Sequence, residues 1–134
     1  LVGSEMCIRD RASAFEFISG QLVDREDKEL MEKAMRIIAE NISNNEFTPQ
    51  ELASSLQISI RNLYRKFEQL NLSPPKNFIK EQRINFATKL LVTTSLTIEE
   101  IMYRSGFMNR SHFYKEFTKR MGVAPKDYRL HNKK

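Results

Sequence analysis

Two neighbouring strings decide the fold of this chain: Thr97-Ile-Glu-Glu-Ile-Met-Tyr-Arg-Ser-Gly-Phe107 and Ser111-His-Phe-Tyr-Lys-Glu-Phe117. Both occur a second time upstream in altered form. Thr97, Glu100 and Ile101 repeat Thr48, Glu51 and Leu52 at an offset of 49. After one inserted residue in the turn, Phe113-Tyr114-Lys115-Glu116-Phe117 matches Leu63-Tyr64-Arg65-Lys66-Phe67 at an offset of 50, and Pro125-Lys126-Asp127-Tyr128 matches Pro75-Lys76-Asn77-Phe78. An ordered recurrence of capped short helix, turn, second helix and Pro-initiated helix marks two copies of one structural unit.

The helix signals around these strings are explicit. Thr48 suits an N-cap, Pro49 the first helical position and Glu51 the third position of a capping box. That helix is short, with Leu52, Ala53 and Leu56 facing inward. Ser59 caps the next, whose apolar positions are Leu63, Phe67 and Leu70. Ser73-Pro74-Pro75 opens a long helix to about Thr93, with Phe78, Ile79, Ala87, Leu90 and Leu91 on its stripe. Upstream, Leu30, Met31, Ala34, Ile37, Ile38 and Ile42 recur at helical spacing until Ser43-Asn44-Asn45 supplies turn chemistry. No segment alternates with the period of two that a strand needs, so the expected fold is all-α.

The chain has 134 residues, and a core of ordinary size is within its reach without disulfide or metal. Its single cysteine, Cys7, excludes an intrachain disulfide and is compatible with a reducing compartment or indifferent to it; a cytoplasmic protein is expected. Consecutive apolar residues never exceed three, which predicts neither a signal peptide nor a membrane-spanning helix in the residues given, and no membrane contact by this domain. Residues 1–11 lack a sustained period, and residues 1–24 are read as a leader or upstream junction outside the fold, leaving 25–134 as the domain.

The net charge of +5 conceals a division. Residues 1–58 carry six basic and eleven acidic side chains, a balance of −5; residues 59–134 carry sixteen basic and six acidic, a balance of +10. A lopsided charge within one small domain points to a polyanion. A short helix, a turn and a longer helix have the geometry of a helix-turn-helix, whose second helix enters the major groove. With Leu63, Phe67 and Leu70 turned inward, Arg61, Asn62, Tyr64, Arg65 and Lys66 remain for solvent or DNA. In the second copy Phe113 and Phe117 turn inward, leaving Asn109, Arg110, Ser111, His112, Tyr114 and Lys115 outside. Arg can bond guanine bidentately, Asn can bond adenine, and Ser, Tyr and Lys can hold phosphates. Any one such side chain is more often a solvated surface group; two aligned sets on two copies of a motif carry more weight. Lys76, Lys80, Arg83 and Lys89 on the long helix are candidates for phosphate contacts, with ordinary helix solubility as the competing reading. That helix, roughly 25–30 Å long at 1.5 Å per residue, suits two recognition helices in successive major grooves on one side of B-DNA, about 34 Å apart.

These residues resemble a family. The stretch from Leu30 to Leu130 is similar to the DNA-binding domain of AraC/XylS-type bacterial transcription regulators, most specifically in Thr97 to Phe107, Ser111 to Phe117 and the closing Gly122-Val-Ala-Pro-Lys-Asp-Tyr-Arg129. Gly106 fits a turn that needs positive φ; in the first unit Gln57 stands where the family often has Gly, a departure that bears on turn strain. The resemblance implies about seven helices, two helix-turn-helix units joined by the long helix, and sequence-specific promoter binding that recruits RNA polymerase. By position it implies that Arg61, Tyr64 and Arg65, then Arg110, Ser111, Tyr114 and Lys115, face bases or phosphates. It also implies an upstream sensor or receiver domain, and the acidic first helix after Phe15 to Asp24 looks like the junction of a two-component or hybrid regulator.

Competing functions find less support. AraC-like modules also occur fused to repair alkyltransferases, but Cys7, His112 and His131 form no spacing suited to a nucleophile or a zinc site, so neither catalysis nor a cofactor is expected. A helical protein-interaction or adaptor module without specific DNA binding is the alternative; the aromatic residues at helical spacing suit a core better than a groove. RNA is a weaker variant, because helices built for B-form grooves fit A-form duplexes poorly.

Overall fold

The computed structural model describes residues 25–132. The expected leader, residues 1–24 with Cys7 and the junction from Phe15 to Asp24, lies outside them. Among the described residues there are seven helices and no strand: α1 Arg25–Glu40, α2 Pro49–Ser55, α3 Ile60–Gln69, α4 Pro75–Thr93, α5 Ile98–Arg104, α6 Arg110–Met121 and α7 Pro125–Asn132. Among them no helix is long and apolar enough to cross a membrane.

Caps set the starts of the short helices. Thr48 Oγ1 accepts from Glu51 N at 3.3 Å, Ser59 Oγ from Asn62 N at 3.1 Å, and Thr97 Oγ1 from Glu100 N at 3.1 Å, each satisfying a donor that the first turn would otherwise orphan. Pro75 and Pro125 occupy the first positions of α4 and α7, where the missing N–H costs nothing, and both are fully buried. α1 ends at Glu40, before the expected limit at Ile42, yet Ile42 is still buried. The turn that follows is closed by the Asn44 side chain, which accepts from Glu46 N at 3.0 Å.

The contacts divide the described chain into two units, one of α1 up to Ile37 with Thr48–Phe78, the other of Ile38–Phe47 with the chain from Ile79 onward. In the first, α2 packs on α3, burying Leu52, Ala53, Leu63 and Phe67; the Phe67 ring meets Phe78 edge-on at 5.2 Å. In the second, α6 packs on α5 and α7. Ile84, Ala87, Leu91, Ile101, Met102, Phe107, Phe113 and Phe117 form its buried cluster. Phe117 meets Tyr128 edge-on at 5.7 Å, which repeats the Phe67–Phe78 contact at an offset of 50. α4, 19 residues and about 28 Å long, covalently joins the two. Its buried positions include Ile84, which the expected stripe omitted, while Leu90 is half-buried.

Both turns put the second residue after the short helix in the left-handed region: Gln57 at φ 61° and Gly106 at φ 84°. Only the second requires glycine twice over. A Cβ on Gly106 would collide with the Ile42 carbonyl oxygen and lie 2.8 Å from Arg83 Nε.

The C-terminal end of α4 has a cap that sequence reading missed. Arg129 from α7 donates through Nε to Leu91 O at 3.0 Å and through Nη2 to Thr94 O at 3.1 Å, satisfying carbonyls that the last turn leaves open. The closing Tyr128-Arg129 pair is therefore architectural: the ring seals the core and the guanidinium ties α7 to α4.

Candidate nucleic-acid interface

In the first unit α3 is amphipathic in the expected sense. Leu63 and Phe67 are buried, and Arg61, Tyr64 and Arg65 are exposed on the opposite face. Asn62 is half-buried, and its Oδ1 accepts from Arg65 Nη2 at 2.8 Å. This bond one helical turn apart holds the guanidinium in a defined direction before any ligand arrives, reducing the side-chain entropy lost on binding. Lys66 departs from expectation. Its Nζ is 2.8 Å from Asp27 Oδ1 on α1, and both side chains are largely shielded, so it fastens α3 to α1 instead of facing outward.

In the second unit Asn109 is the N-cap of α6, its Oδ1 accepting from His112 N at 2.8 Å, so its acceptor is committed to the helix start. Phe113 and Phe117 are buried, and Arg110, Ser111, His112 and Lys115 are exposed. Tyr114 is only half-buried and packs against the core cluster, a correction to its expected outside position; its ring also carries the Arg110 guanidinium, 5.2 Å from the ring centroid. A cation over an aromatic face is attracted by the ring quadrupole, which orients Arg110 as Asn62 orients Arg65. His112 leans back toward its own helix: Nε2 is 3.9 Å from Glu116 Oε2 and its ring meets Phe107 at 5.5 Å.

The four basic candidates on α4 separate. Lys76 and Lys89 are exposed. Lys80 Nζ is half-buried, 3.8 Å from Glu116 Oε1. Arg83 is a correction. Its Nη2 donates to Asn44 O at 2.8 Å, and burial lowers its pKa from the usual guanidinium value, so it braces the loop between α1 and α2 and is not presented to a phosphate. No local sequence signal marks this role, because the acceptor, the Asn44 backbone carbonyl, is 39 residues away.

Among the described residues no group of three or more His, Cys, Asp or Glu side chains is placed to hold a metal ion. What the two faces offer is hydrogen-bond donors on two buried scaffolds: Arg61, Asn62, Tyr64 and Arg65 on α3, and Arg110, Ser111, His112, Tyr114 and Lys115 on α6.

Comparison with known proteins places this architecture. A family model described as a helix-turn-helix domain matches residues 52–131. A histidine kinase, P4, from Formosa agariphila is 31% identical over 102 residues, which is 76% of this chain and 7% of the kinase. The chain therefore spans a small part of that relative. Among solved structures, an AraC-type DNA-binding-domain transcriptional regulator from Chromobacterium violaceum is 25% identical with a TM-score of 0.74, covering 81% of this chain and 96% of that one. The C-terminal domain of AraT, a response regulator from Geobacillus stearothermophilus, is 28% identical with a TM-score of 0.71, covering 78% and 87%. The DNA-binding domain of AdpA, a global transcriptional factor crystallised with a target DNA, is 27% identical with a TM-score of 0.68, covering 76% and 90%.

Proposed function

Because this chain belongs to the AraC-type helix-turn-helix family, we propose that it is the sequence-specific DNA-binding part of a transcription regulator, inserting α3 and α6 into adjacent major grooves of a promoter. The observation that carries the reading is the duplicated unit, in which each recognition helix buries its aromatic or aliphatic face and turns pre-oriented donors outward. The similarity to the AdpA domain bound to its target DNA supports it.

On this reading Arg65, held by Asn62, bonds a guanine edge, and Arg61 and Tyr64 contact bases or flanking phosphates. In the second unit Arg110, Ser111, His112, Tyr114 and Lys115 form the equivalent surface. Lys76 and Lys89 add backbone contacts that position without specifying. The chain acts by binding and not by catalysis, in the cytoplasm. In the intact regulator it works as an activator through RNA polymerase, under an upstream receiver or sensor domain; the response-regulator origin of the AraT domain and the histidine kinase relative support that arrangement.

Selection from a pool of random duplex DNA tests this. Two boxes with about ten base pairs between centres are expected. No enrichment of any sequence would refute specific recognition, and a footprint shorter than about one helical turn would refute the engagement of both units.

A further inference from the structure

The two turns differ by one residue, and backbone hydrogen bonds identify it. Ile58 N donates to Ala53 O and Phe107 N to Met102 O, both at 3.0 Å, so Ile58 and Phe107 are equivalent. Ser59 and Asn109 are equivalent as N-caps. Met108, between Phe107 and Asn109, is the residue without a counterpart in the first unit. It is also 63% exposed, an unfavourable setting for so large an apolar side chain. Beside it lies a cleft of about 150 Å³, lined by Ile98, exposed Tyr103 and Met108 on its apolar side, by Glu99, and by Arg110 and Tyr114 of α6.

We propose that Met108 is a specificity-determining residue that contacts the C5-methyl group of a thymine in the half-site read by α6. This rests on the DNA-binding reading above. Side chains at the N-terminal end of a recognition helix are those that reach base edges, and Met108 immediately precedes the N-cap of α6. The apolar group that bases present in the major groove is the thymine methyl. A flexible thioether adapts to such a small, irregular contact. Glu99 on the same cleft disfavours a phosphate there, so the rim suits a base edge better than the backbone. Arg110, stacked on Tyr114, brings a guanidinium to the same rim, placing a guanine contact beside the methyl contact. The second box is thus expected to pair a thymine with a neighbouring guanine. The first box has no such thymine requirement, because the equivalent of Phe107 there, Ile58, is followed directly by the cap.

The test uses the full chain and its selected duplex, with each thymine replaced singly by deoxyuridine, which removes only the methyl group. One thymine of the second box should be sensitive, with binding weakened about fourfold, the worth of roughly one buried methylene. Met108→Ala should bind the thymine and uracil duplexes alike, and Met108→Gln, which keeps the length without the apolar end, should do the same. Absence of a sensitive thymine, or a uracil penalty that persists in Met108→Ala, overturns the proposal and leaves the cleft to a protein partner. Failure to select any duplex overturns the DNA-binding reading itself, and this one with it.

Discussion

Gly106→Ala isolates the physical cause of the second turn. Two penalties are predicted from the structure. A non-glycine residue at φ 84° costs about 1–2 kcal/mol, the usual penalty for placing a Cβ in left-handed backbone. The new Cβ also meets the Ile42 carbonyl and the Arg83 side chain. Forcing extra volume into a packed site costs about 1–3 kcal/mol. The sum is about 2–5 kcal/mol, which in a domain of this size lowers Tm by on the order of 10–20 °C. Two controls separate the terms. Gly122 has φ 81° but open space around its Cβ, so Gly122→Ala carries the conformational penalty alone, about 1–2 kcal/mol. Gln57→Gly, at the equivalent turn of the first unit, releases strain but adds unfolded-state entropy, and should stay within about 1 kcal/mol of the parent. Thermal and urea unfolding followed by far-UV circular dichroism would measure all three. If Gly106→Ala loses no more stability than Gly122→Ala, the carbonyl contact is not what demands glycine, and the steric part of the reasoning is wrong.

Other perturbations address the interface and its frame. Arg65→Ala should weaken binding to the selected duplex by about 1–3 kcal/mol and relax preference at one guanine position, read by titration against single-base variants. Lys115→Ala should weaken binding about equally on all sequences and reduce the salt slope by about 0.9, measured as log K against log salt; an unchanged slope would remove Lys115 from the phosphate contacts. Arg129→Ala should destabilise the fold by about 1–3 kcal/mol in a melting experiment, because Leu91 O and Thr94 O lose their donors. Arg83→Ala should alter unfolding and leave the salt slope of DNA binding as it was, since its guanidinium is held on Asn44 O.

The duplicated units differ where a regulator would need them to differ. Caps, left-handed turn residues and edge-on ring contacts recur in both, which keeps each recognition helix at the same place in its own unit. The outward faces do not recur. α3 presents Arg65 held by Asn62, whereas α6 presents Arg110 held by Tyr114, with Met108 alongside. Two unlike faces on one chain suit an asymmetric operator, in contrast to the palindromes that symmetric dimers read.

Local chemistry was legible in the residues themselves. Thr48, Ser59 and Thr97 are caps because a hydroxyl accepts from the amide three residues on, and Pro75 and Pro125 start helices because the first turn does not use their missing donor. These interactions span three or four residues, so the all-α class, the repeat, the capped and Pro-initiated helix starts and the inward face of α3 follow from order alone. Tertiary structure decided what long basic side chains do. Lys66 finds Asp27, Arg83 finds Asn44 and Arg129 finds Leu91, each 38 or 39 residues away in sequence. Nothing local distinguishes them from Arg65 or Lys115, because a flexible cation takes whichever acceptor the folded chain brings within reach. The sequence alone thus determined which helices exist and that cations cluster on the later half; packing determined which of those cations are left to meet DNA.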